Sequence, residues 1–276
     1  MALVAQGVSY AYEVGRPPAI EAVRTVDLVL EVGELVVVAG TTGSGKSTLL
    51  RLLAGLLEPS VGSVSVDGMT LGDSQARGAV AIVFQDPETQ FFAETLRLDV
   101  AFGPRNLGHS DPQGDADDAL AAVGLDPAVY GSRSPFSLSG GEARRGAIAG
   151  ALAMGARYLL LDEPTAGLDA TGCSAVRDAL RAERERSGVI VVTHDPGEFL
   201  DTAHRIVALD AGRVAFTGSV EDLYVSPERY EDAGLELPPI VRTQLLARAR
   251  GMRIESVTLD PMRAASALLA AREVRL

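Results

Sequence analysis

A glycine-rich loop contains the only lysine of the chain, and its residue types and spacing suit a phosphate group. Residues 40–48 read Gly-Thr-Thr-Gly-Ser-Gly-Lys-Ser-Thr, and arginine fills every other position among the 25 basic residues. Backbone N–H groups in such a loop, together with the start of the helix that follows, bind phosphate oxygens. A compact ammonium fits beside a phosphate wrapped in this way, whereas a planar guanidinium does not. The loop therefore predicts a nucleotide site made of Gly40, Thr41, Thr42, Gly43, Ser44, Gly45, Lys46, Ser47 and Thr48.

Within this site, two side chains have distinct chemical roles. The Lys46 ammonium is expected to reach the β- and γ-phosphates, and the Ser47 hydroxyl is expected to bind Mg²⁺.

Two adjacent acids supply the second half of a phosphate-hydrolysing site. Asp162 and Glu163 end the apolar segment 158–161, as expected for carboxylates at the end of a buried strand. Asp162 is predicted to hold Mg²⁺, through water, and Glu163 to point at the γ-phosphate and polarise the attacking water. An acidic pair at this place could instead be a solvated strand end. The phosphate loop upstream favours the catalytic interpretation.

Short apolar segments predict the strands that position these groups. Residues 35–39 are continuously apolar, as is typical of a strand buried on both faces, and they lead into the glycine-rich loop. Residues 46–57 then have helical spacing, which completes the strand, loop and helix that a phosphate loop requires. Further buried strands are predicted at 79–84, 158–161 and 189–193.

The remaining elements surround this centre. The first thirty residues alternate as two strands joined by a turn at 15–18, and residues 87–135 form a helical insertion. After residue 193 the sequence predicts a short helix, a hairpin turn at 210–212, a linker at 231–239, and helices at 240–250 and 261–272.

The composition excludes several classes of protein. A net charge of −12 argues against nucleic-acid binding that is independent of sequence, so no nucleic-acid partner is expected. A single cysteine, Cys173, excludes an internal disulfide framework and fits a reducing compartment. The longest nearly apolar stretch, 146–156, is too short to span a bilayer. The chain is expected to be soluble and to work at a membrane only as a peripheral subunit.

Four further motifs resemble those of ATP-binding cassette (ABC) ATPases. Residues 138–142 resemble the signature motif of that family, and residues 164–169 resemble its D-loop. Residues 193–195 resemble the segment that carries its switch histidine, and Gln85 stands where its Q-loop glutamine belongs. The resemblance covers residues 1–225. It implies an α/β P-loop NTPase cassette with a mixed central sheet, an N-terminal antiparallel β subdomain, a helical insertion at about 87–135 and a small C-terminal helical extension at 226–276.

The resemblance also implies roles for single residues. Gln85 would sense Mg²⁺ and the attacking water, and His194 would contact the γ-phosphate. With Glu163, these form the implied catalytic set, whereas Ser47, Gln85 and Asp162 form the implied metal set. Tyr12 resembles the aromatic residue that stacks on adenine; Tyr10, on the same strand face, is an alternative, and either tyrosine could be a core residue.

In this family the signature motif acts on ATP that is bound by a second subunit. Ser139, Gly140, Gly141 and Glu142 would therefore contact nucleotide across a head-to-tail dimer, beside the D-loop residue Asp169. Position 142 is commonly glutamine in the family, and its replacement by an acid is expected to leave the serine and glycine contacts intact.

Residues 83–92, 99–104, 138–152 and 234–238 are similar to the ATPases of energy-coupling factor transporters. This resemblance implies an ATP-hydrolysing subunit on the cytoplasmic face of the membrane, energising uptake of a vitamin or a cobalt or nickel ion. Its partners would be a second ABC ATPase, identical or related, together with a membrane-embedded coupling protein and a substrate-binding membrane subunit. Gln90, Phe91 and Phe92 would lie on the docking surface, unless the two rings only pack the insertion. A conventional ABC importer or exporter ATPase and a soluble cassette acting on nucleic acid or ribosomes are the alternatives.

Overall fold

Ten strands form two sheets in the computed structural model, which describes residues 1–12, 20–71, 73, 76 and 78–273. The smaller sheet is antiparallel and has the order β2-β1-β4-β5. The larger sheet has the order β10-β9-β3-β8-β7-β6. The strands are β1 (Ala2–Tyr12), β2 (Ile20–Glu31), β3 (Leu35–Ala39), β4 (Val61–Val66), β5 (Met69–Thr70), β6 (Val80–Val83), β7 (Tyr158–Asp162), β8 (Gly188–Val192), β9 (Arg205–Asp210) and β10 (Arg213–Ser219).

The larger sheet is mixed, because five of its strands are parallel and β10 pairs with β9 in the antiparallel direction. The predicted mixed central sheet and antiparallel N-terminal subdomain are thus confirmed. Parallel strands end at the same edge of a sheet, where α/β proteins place their ligands. The glycine-rich loop, Gln85, the acidic pair and His194 all follow strands at this edge.

Strand β3 is buried on both faces, as its continuous apolar run predicts. Leu35 and Val37 contribute to one hydrophobic cluster, which includes side chains of the helical insertion. Val36 and Val38 contribute to a second cluster between the central sheet and the antiparallel sheet. The strand before the phosphate loop is therefore fixed from both sides.

The helix after the phosphate loop, α1 (Lys46–Leu53), is shorter than the predicted span of 46–57. It ends where Gly55 adopts a left-handed backbone conformation, with φ of 70°, which is a common way for a helix to stop. The predicted helical insertion is present. Its helices are α2 (Leu96–Val100), α3 (Phe102–Leu107), α4 (Pro112–Ala122) and α5 (Pro127–Tyr130), preceded by a 3₁₀ turn at Pro87–Gln90.

The helices that follow the insertion connect the strands of the central sheet and form the C-terminal part. They are α6 (Gly140–Ala153), α7 (Ala170–Glu183), α8 (Asp222–Val225), α9 (Pro227–Asp232), α10 (Pro239–Ala249) and α11 (Pro261–Glu273). The short helix expected after residue 193 is a 3₁₀ turn at Pro196–Phe199, and the hairpin at 210–212 joins β9 to β10. The turn expected at 15–18 lies outside the described residues.

The predicted linker at 231–239 is wrong, because this segment packs against the cassette. Helix α9 includes its first two residues, and Leu235 and Leu237 are buried in a cluster with Phe216 and Val241. Ala39, the last residue before the phosphate loop, belongs to the same cluster. The boundary at residue 225 remains a prediction. Among the described residues, no helix has the length and apolar character needed to cross a bilayer.

Candidate nucleotide site

The phosphate loop already holds Lys46 in place. The Lys46 ammonium donates hydrogen bonds to the backbone oxygens of Gly40, at 2.8 Å, and Thr41, at 3.0 Å. The side chain is almost fully enclosed, since the residue is only 9% exposed. Burial lowers the pKa of the Lys46 ammonium, and the nearby carboxylates of Glu163 and Asp162 oppose this effect. An incoming phosphate would therefore replace two carbonyl partners of an ammonium that is already directed into the loop.

Two glycines of the loop are fixed by close backbone contacts. A Cβ atom on Gly40 would lie 2.2 Å from the carbonyl oxygen of Leu209, and one on Gly45 would lie 2.2 Å from that of Ala22. Both residues also have positive φ. Every L-residue with a side chain would therefore clash here, and the loop keeps the narrow path that brings its backbone near a phosphate.

The loop also has donors without partners, as a phosphate site requires. Gly45 caps α1 without any side-chain hydrogen bond, so the first amides of the helix have no side-chain acceptor. Ser44 is 3% exposed, and its hydroxyl oxygen has no hydrogen-bond partner among the described residues. A buried hydroxyl is rarely left unpaired, so phosphate oxygens would satisfy this group as well as the amides.

The predicted metal residues lie together beside the loop. Ser47, Gln85 and Asp162 line one cleft of about 270 Å³, with Arg51, Phe84, Asp86 and Thr89 around them. Burial raises the pKa of the Asp162 carboxyl, and a hydrogen bond from Ser47 opposes that rise. The described residues contain no group of three or more His, Cys, Asp and Glu side chains suited to a metal. This set still fits Mg²⁺, which takes few protein oxygens and completes its shell with phosphate and water.

The predicted catalytic acid and the switch histidine are in direct contact. The Nδ1 atom of His194 lies 2.9 Å from Oε2 of Glu163, and the hydroxyl of Thr193 donates to the same oxygen at 3.3 Å. The Glu163 side chain is 13% exposed, whereas that of His194 is 71% exposed. Glu163 therefore has a fixed carboxylate, and His194 can turn toward a ligand in the open space beside it.

The backbone of Glu163 adopts a conformation that is unusual for a residue with a side chain. Its φ is 50°, in the left-handed region. Such strain costs on the order of 1–3 kcal/mol and persists only where surrounding contacts impose it, often at active sites. Its amide donates to the Val192 carbonyl oxygen at 2.8 Å. The strained turn directs the Asp162 and Glu163 side chains to different places, as their different predicted roles require.

The signature residues form a capped helix terminus away from the phosphate loop. Ser139 caps α6, and its amide and hydroxyl both donate to Oε2 of Glu142, at 2.7 and 2.8 Å. These two bonds hold the pKa of the Glu142 carboxyl below its usual range. The carboxylate also lies 3.6 Å from Arg133. The hydrogen bonds and ion pairs of the described residues connect none of this group to the phosphate loop.

The two candidate adenine residues differ in their surroundings. The Tyr12 hydroxyl lies 3.2 Å from the Thr48 hydroxyl, beside the phosphate loop. Tyr10 packs against the hydrophobic cluster between the sheets. Their rings meet edge to face, with centroids 4.9 Å apart. The position of Tyr12 favours it over Tyr10, and its stacking on adenine remains a prediction.

The D-loop residue Asp169 has a structural contact of its own, because its carboxylate accepts a hydrogen bond from the Gly172 amide at 2.7 Å and caps α7. A role at a second subunit remains a prediction. The sequence did not reveal Thr193 as a partner of Glu163. It also did not single out Arg144, whose guanidinium bonds to backbone oxygens of Gln85, Glu163 and Ala166.

The two phenylalanines proposed for the docking surface differ in exposure. Phe91 is 8% exposed and belongs to the core, so for this ring the packing alternative is correct. Phe92 is 58% exposed, and its ring meets that of Phe102, which is 47% exposed. Both exposed rings line a cleft of about 210 Å³ between the insertion and α6.

Comparison with known proteins identifies the family. A family model described as "ABC transporter" matches residues 23–166. Similar proteins include several that are named energy-coupling factor transporter ATP-binding protein EcfA2. The one from Symbiobacterium thermophilum is 43% identical over 94% of this chain and 93% of its own length. The one from Clostridium perfringens is 37% identical over 90% of each chain.

Solved structures agree with this assignment. One is a dimeric post-hydrolysis state of the ATP-binding cassette MJ0796 bound to ADP and Pi, with a TM-score of 0.72, 29% identity and coverage of 80% of this chain and 99% of that one. Another is cbiO1 from Clostridium perfringens, part of the ABC transporter complex cbiONQ, with a TM-score of 0.69, 30% identity and coverage of 86% and 96%. The chain belongs to the ABC transporter family, among the ATP-binding proteins of energy-coupling factor transporters.

Proposed function

We propose that this chain hydrolyses ATP to drive an energy-coupling factor importer of a vitamin or a transition-metal ion, working as a peripheral subunit on the cytoplasmic face of the membrane. The observation that carries the proposal is the set of groups at one edge of the central sheet. The phosphate loop, the Ser47–Asp162 pair and the Glu163–His194 pair all follow parallel strands there. Phosphoryl transfer needs mainly positioning and electrostatic stabilisation, which such a set supplies.

Each group has one task in the proposed reaction. The loop amides and Lys46 bind the β- and γ-phosphates, while Ser47 and Asp162 would hold Mg²⁺, with Gln85 beside them. When bound there, Mg²⁺ would supply positive charge that offsets the charge of the phosphates. Glu163 accepts a hydrogen bond from the attacking water and orients it toward the γ-phosphate. His194, which now contacts Glu163, also donates to the γ-phosphate once nucleotide is bound.

The proposed active state is a dimer, because the signature residues have no contact with their own phosphate loop in the described structure. In a head-to-tail dimer, Ser139 and Gly141 would contact the γ-phosphate bound by a second cassette, which is either identical or related. The dimer would close when it binds two ATP molecules and reopen after hydrolysis, and this motion would move the insertion.

The acid at position 142 should make closure harder than a glutamine would. Its carboxylate accepts a hydrogen bond from the Ser139 hydroxyl and brings negative charge toward the partner's ATP. We expect Glu142→Gln to form the ATP-bound dimer at about fivefold lower ATP concentration. Two unit charges roughly 10 Å apart near a surface interact by on the order of 1 kcal/mol. Glutamine keeps the helix cap, because either residue completes a capping box. Size-exclusion chromatography across an ATP series measures the effect.

Glu142→Ala is the matched control, since it removes the charge together with the Glu142 half of the capping box, while the Ser139 hydroxyl still accepts from the amide of residue 142. It should destabilise the start of α6 by roughly 0.5–1.5 kcal/mol, the typical contribution of one hydrogen bond, which a thermal melt detects. An unchanged or higher ATP requirement for Glu142→Gln would show that the acid does not oppose closure.

The exposed Phe92–Phe102 pair is the proposed contact with the membrane-embedded coupling protein, which would in turn hold the substrate-binding membrane subunit. Exposed aromatic rings in a cleft are typical anchors of protein interfaces. The exposed Asp86 beside the insertion adds negative charge for arginines on the partner. The insertion connects this surface to the nucleotide site through the segment between β6 and α2.

This interface predicts that Phe92→Ala weakens capture of the detergent-solubilised coupling protein at least tenfold, because truncating an interface anchor costs about 2 kcal/mol or more. Leu56→Ala is the control, since Leu56 is 54% exposed but lies after α1, outside the docking cleft. Pull-down with purified membrane subunits measures both variants. Equal capture by both would argue against the surface. In a separate pull-down with purified ribosomes, capture by the unsubstituted protein would favour the soluble alternative.

A further inference from the structure

One arginine joins two loops of the nucleotide site to the signature helix. Arg144 lies in the first half of α6, two residues after Glu142. Its guanidinium donates to the backbone oxygen of Gln85 at 2.8 Å and to that of Glu163 at 3.2 Å. It also donates to the backbone oxygen of Ala166 in the D-loop. These three oxygens belong to segments that follow two different strands, β6 and β7.

The chemistry of these contacts requires an arginine. A guanidinium carries five N–H donors in a fixed planar fork, whereas an ammonium is a point charge on a flexible stem. Among the described residues, the ion pairs include none between Arg144 and a carboxylate. Backbone carbonyls therefore receive its donors, and its position depends on these two loops rather than on an acidic partner.

One of these carbonyls belongs to the strained residue. Glu163 has a φ of 50°, and its amide is held by Val192. Its carbonyl oxygen accepts from the Ala166 amide at 3.3 Å, and Arg144 is the one side chain among the described residues that also donates to it. Bonds on both sides of a strained residue are what keep it in a sparsely populated conformation.

We propose that Arg144 is a positioning residue that sets the backbone of Glu163 according to the position of the signature helix. A shift of α6 during dimer closure, or of the insertion during docking, would then move Gln85, Glu163 and the D-loop together. The inference rests on the proposed role of Glu163 in hydrolysis. Arg144 itself does not touch the nucleotide, and its effect passes through the carboxylate that it positions.

The test compares Arg144→Met and Arg144→Gln with Arg144→Lys. We expect both neutral variants to lower kcat for ATP hydrolysis about 10- to 100-fold, since a misplacement of about 1 Å can cost 10²-fold. The Kd for a non-hydrolysable ATP analogue should change less than threefold, because the phosphate loop is untouched. Arg144→Lys should recover part of the kcat, as an ammonium restores one or two of the bonds.

Arg248→Met is the matched control. Arg248 also donates from its guanidinium to backbone oxygens, those of Ile254 and Glu255, in the C-terminal part. The Arg248→Met variant should lose about as many hydrogen bonds as Arg144→Met and should keep its kcat. Thermal melts of all variants report the loss of stability separately.

Two results would overturn the inference. One is a kcat for Arg144→Met and Arg144→Gln within twofold of the unsubstituted protein, while Glu163→Gln is inactive. The other is a loss of kcat and analogue binding in parallel, with no recovery by lysine, which indicates a structural role only. Full activity of Glu163→Gln would instead refute the proposed function of Glu163, so the two failures are distinguishable.

Discussion

Glu163→Gln should abolish turnover while keeping ATP binding, and it should leave the protein as a closed ATP-bound dimer. Glutamine has the shape of glutamate and can still accept the hydrogen bond from Thr193, but it cannot polarise water as a carboxylate does. Removing a general base costs about 10²–10⁴-fold in rate. The loop amides and Lys46 are unchanged, so nucleotide still binds. Phosphate release measures the first effect, and size-exclusion chromatography with ATP and Mg²⁺ measures the second.

Glu34→Gln is the matched control for this substitution. Glu34 is also mostly buried and paired, with its side chain 20% exposed and 2.9 Å from Arg205, but it lies outside the nucleotide site. It should keep its rate of phosphate release and should not accumulate a closed dimer. Full hydrolysis by Glu163→Gln would show that another group activates the water.

The strand, the phosphate loop and the acidic pair at the centre of the fold could be predicted because each depends on the types of a few neighbouring residues. A continuous apolar run such as 35–39 is typical of a buried strand, and the glycine-rich loop and helical pattern after it are typical of a phosphate loop. The acidic pair at 162–163 was predictable for the same reason, since charges at the end of an apolar run lie where the strand ends. Each of these patterns lies in a stretch of a few residues.

Other features depend on contacts between distant segments. Arg144 bonds to main-chain carbonyls of residues 19 to 59 positions away, and carbonyls have no signature in a sequence. The conformation of Glu163 likewise follows from its surroundings and not from its residue type.

Two further features do have local signals in the sequence. Ser139 and Glu142 have the spacing of a capping box, which indicates that the acid contacts the serine. Leu235 and Leu237 alternate with polar and small residues, and this pattern is more typical of a packed segment than of a linker. The first pattern is complete within four residues, whereas the second does not indicate that Leu235 and Leu237 pack against Phe216 and Val241.

Lys46→Arg should weaken ATP binding about 10- to 100-fold although the positive charge is kept. The ammonium fits between the carbonyls of Gly40 and Thr41 in a loop that close contacts at its glycines keep narrow. A guanidinium is larger, and overfilling a packed site typically costs 1–3 kcal/mol. Isothermal titration with an ATP analogue measures the change in affinity.

The contribution of charge can be separated from that of shape, because an arginine keeps its positive charge at every working pH. Lys46→Met keeps most of the length and removes the charge, so it separates the two causes. If the shape of the side chain at position 46 determines the affinity for ATP, Lys46→Arg binds ATP no better than Lys46→Met. If charge alone decides, Lys46→Arg binds within twofold of the unsubstituted protein, and the explanation for the single lysine of this chain is wrong.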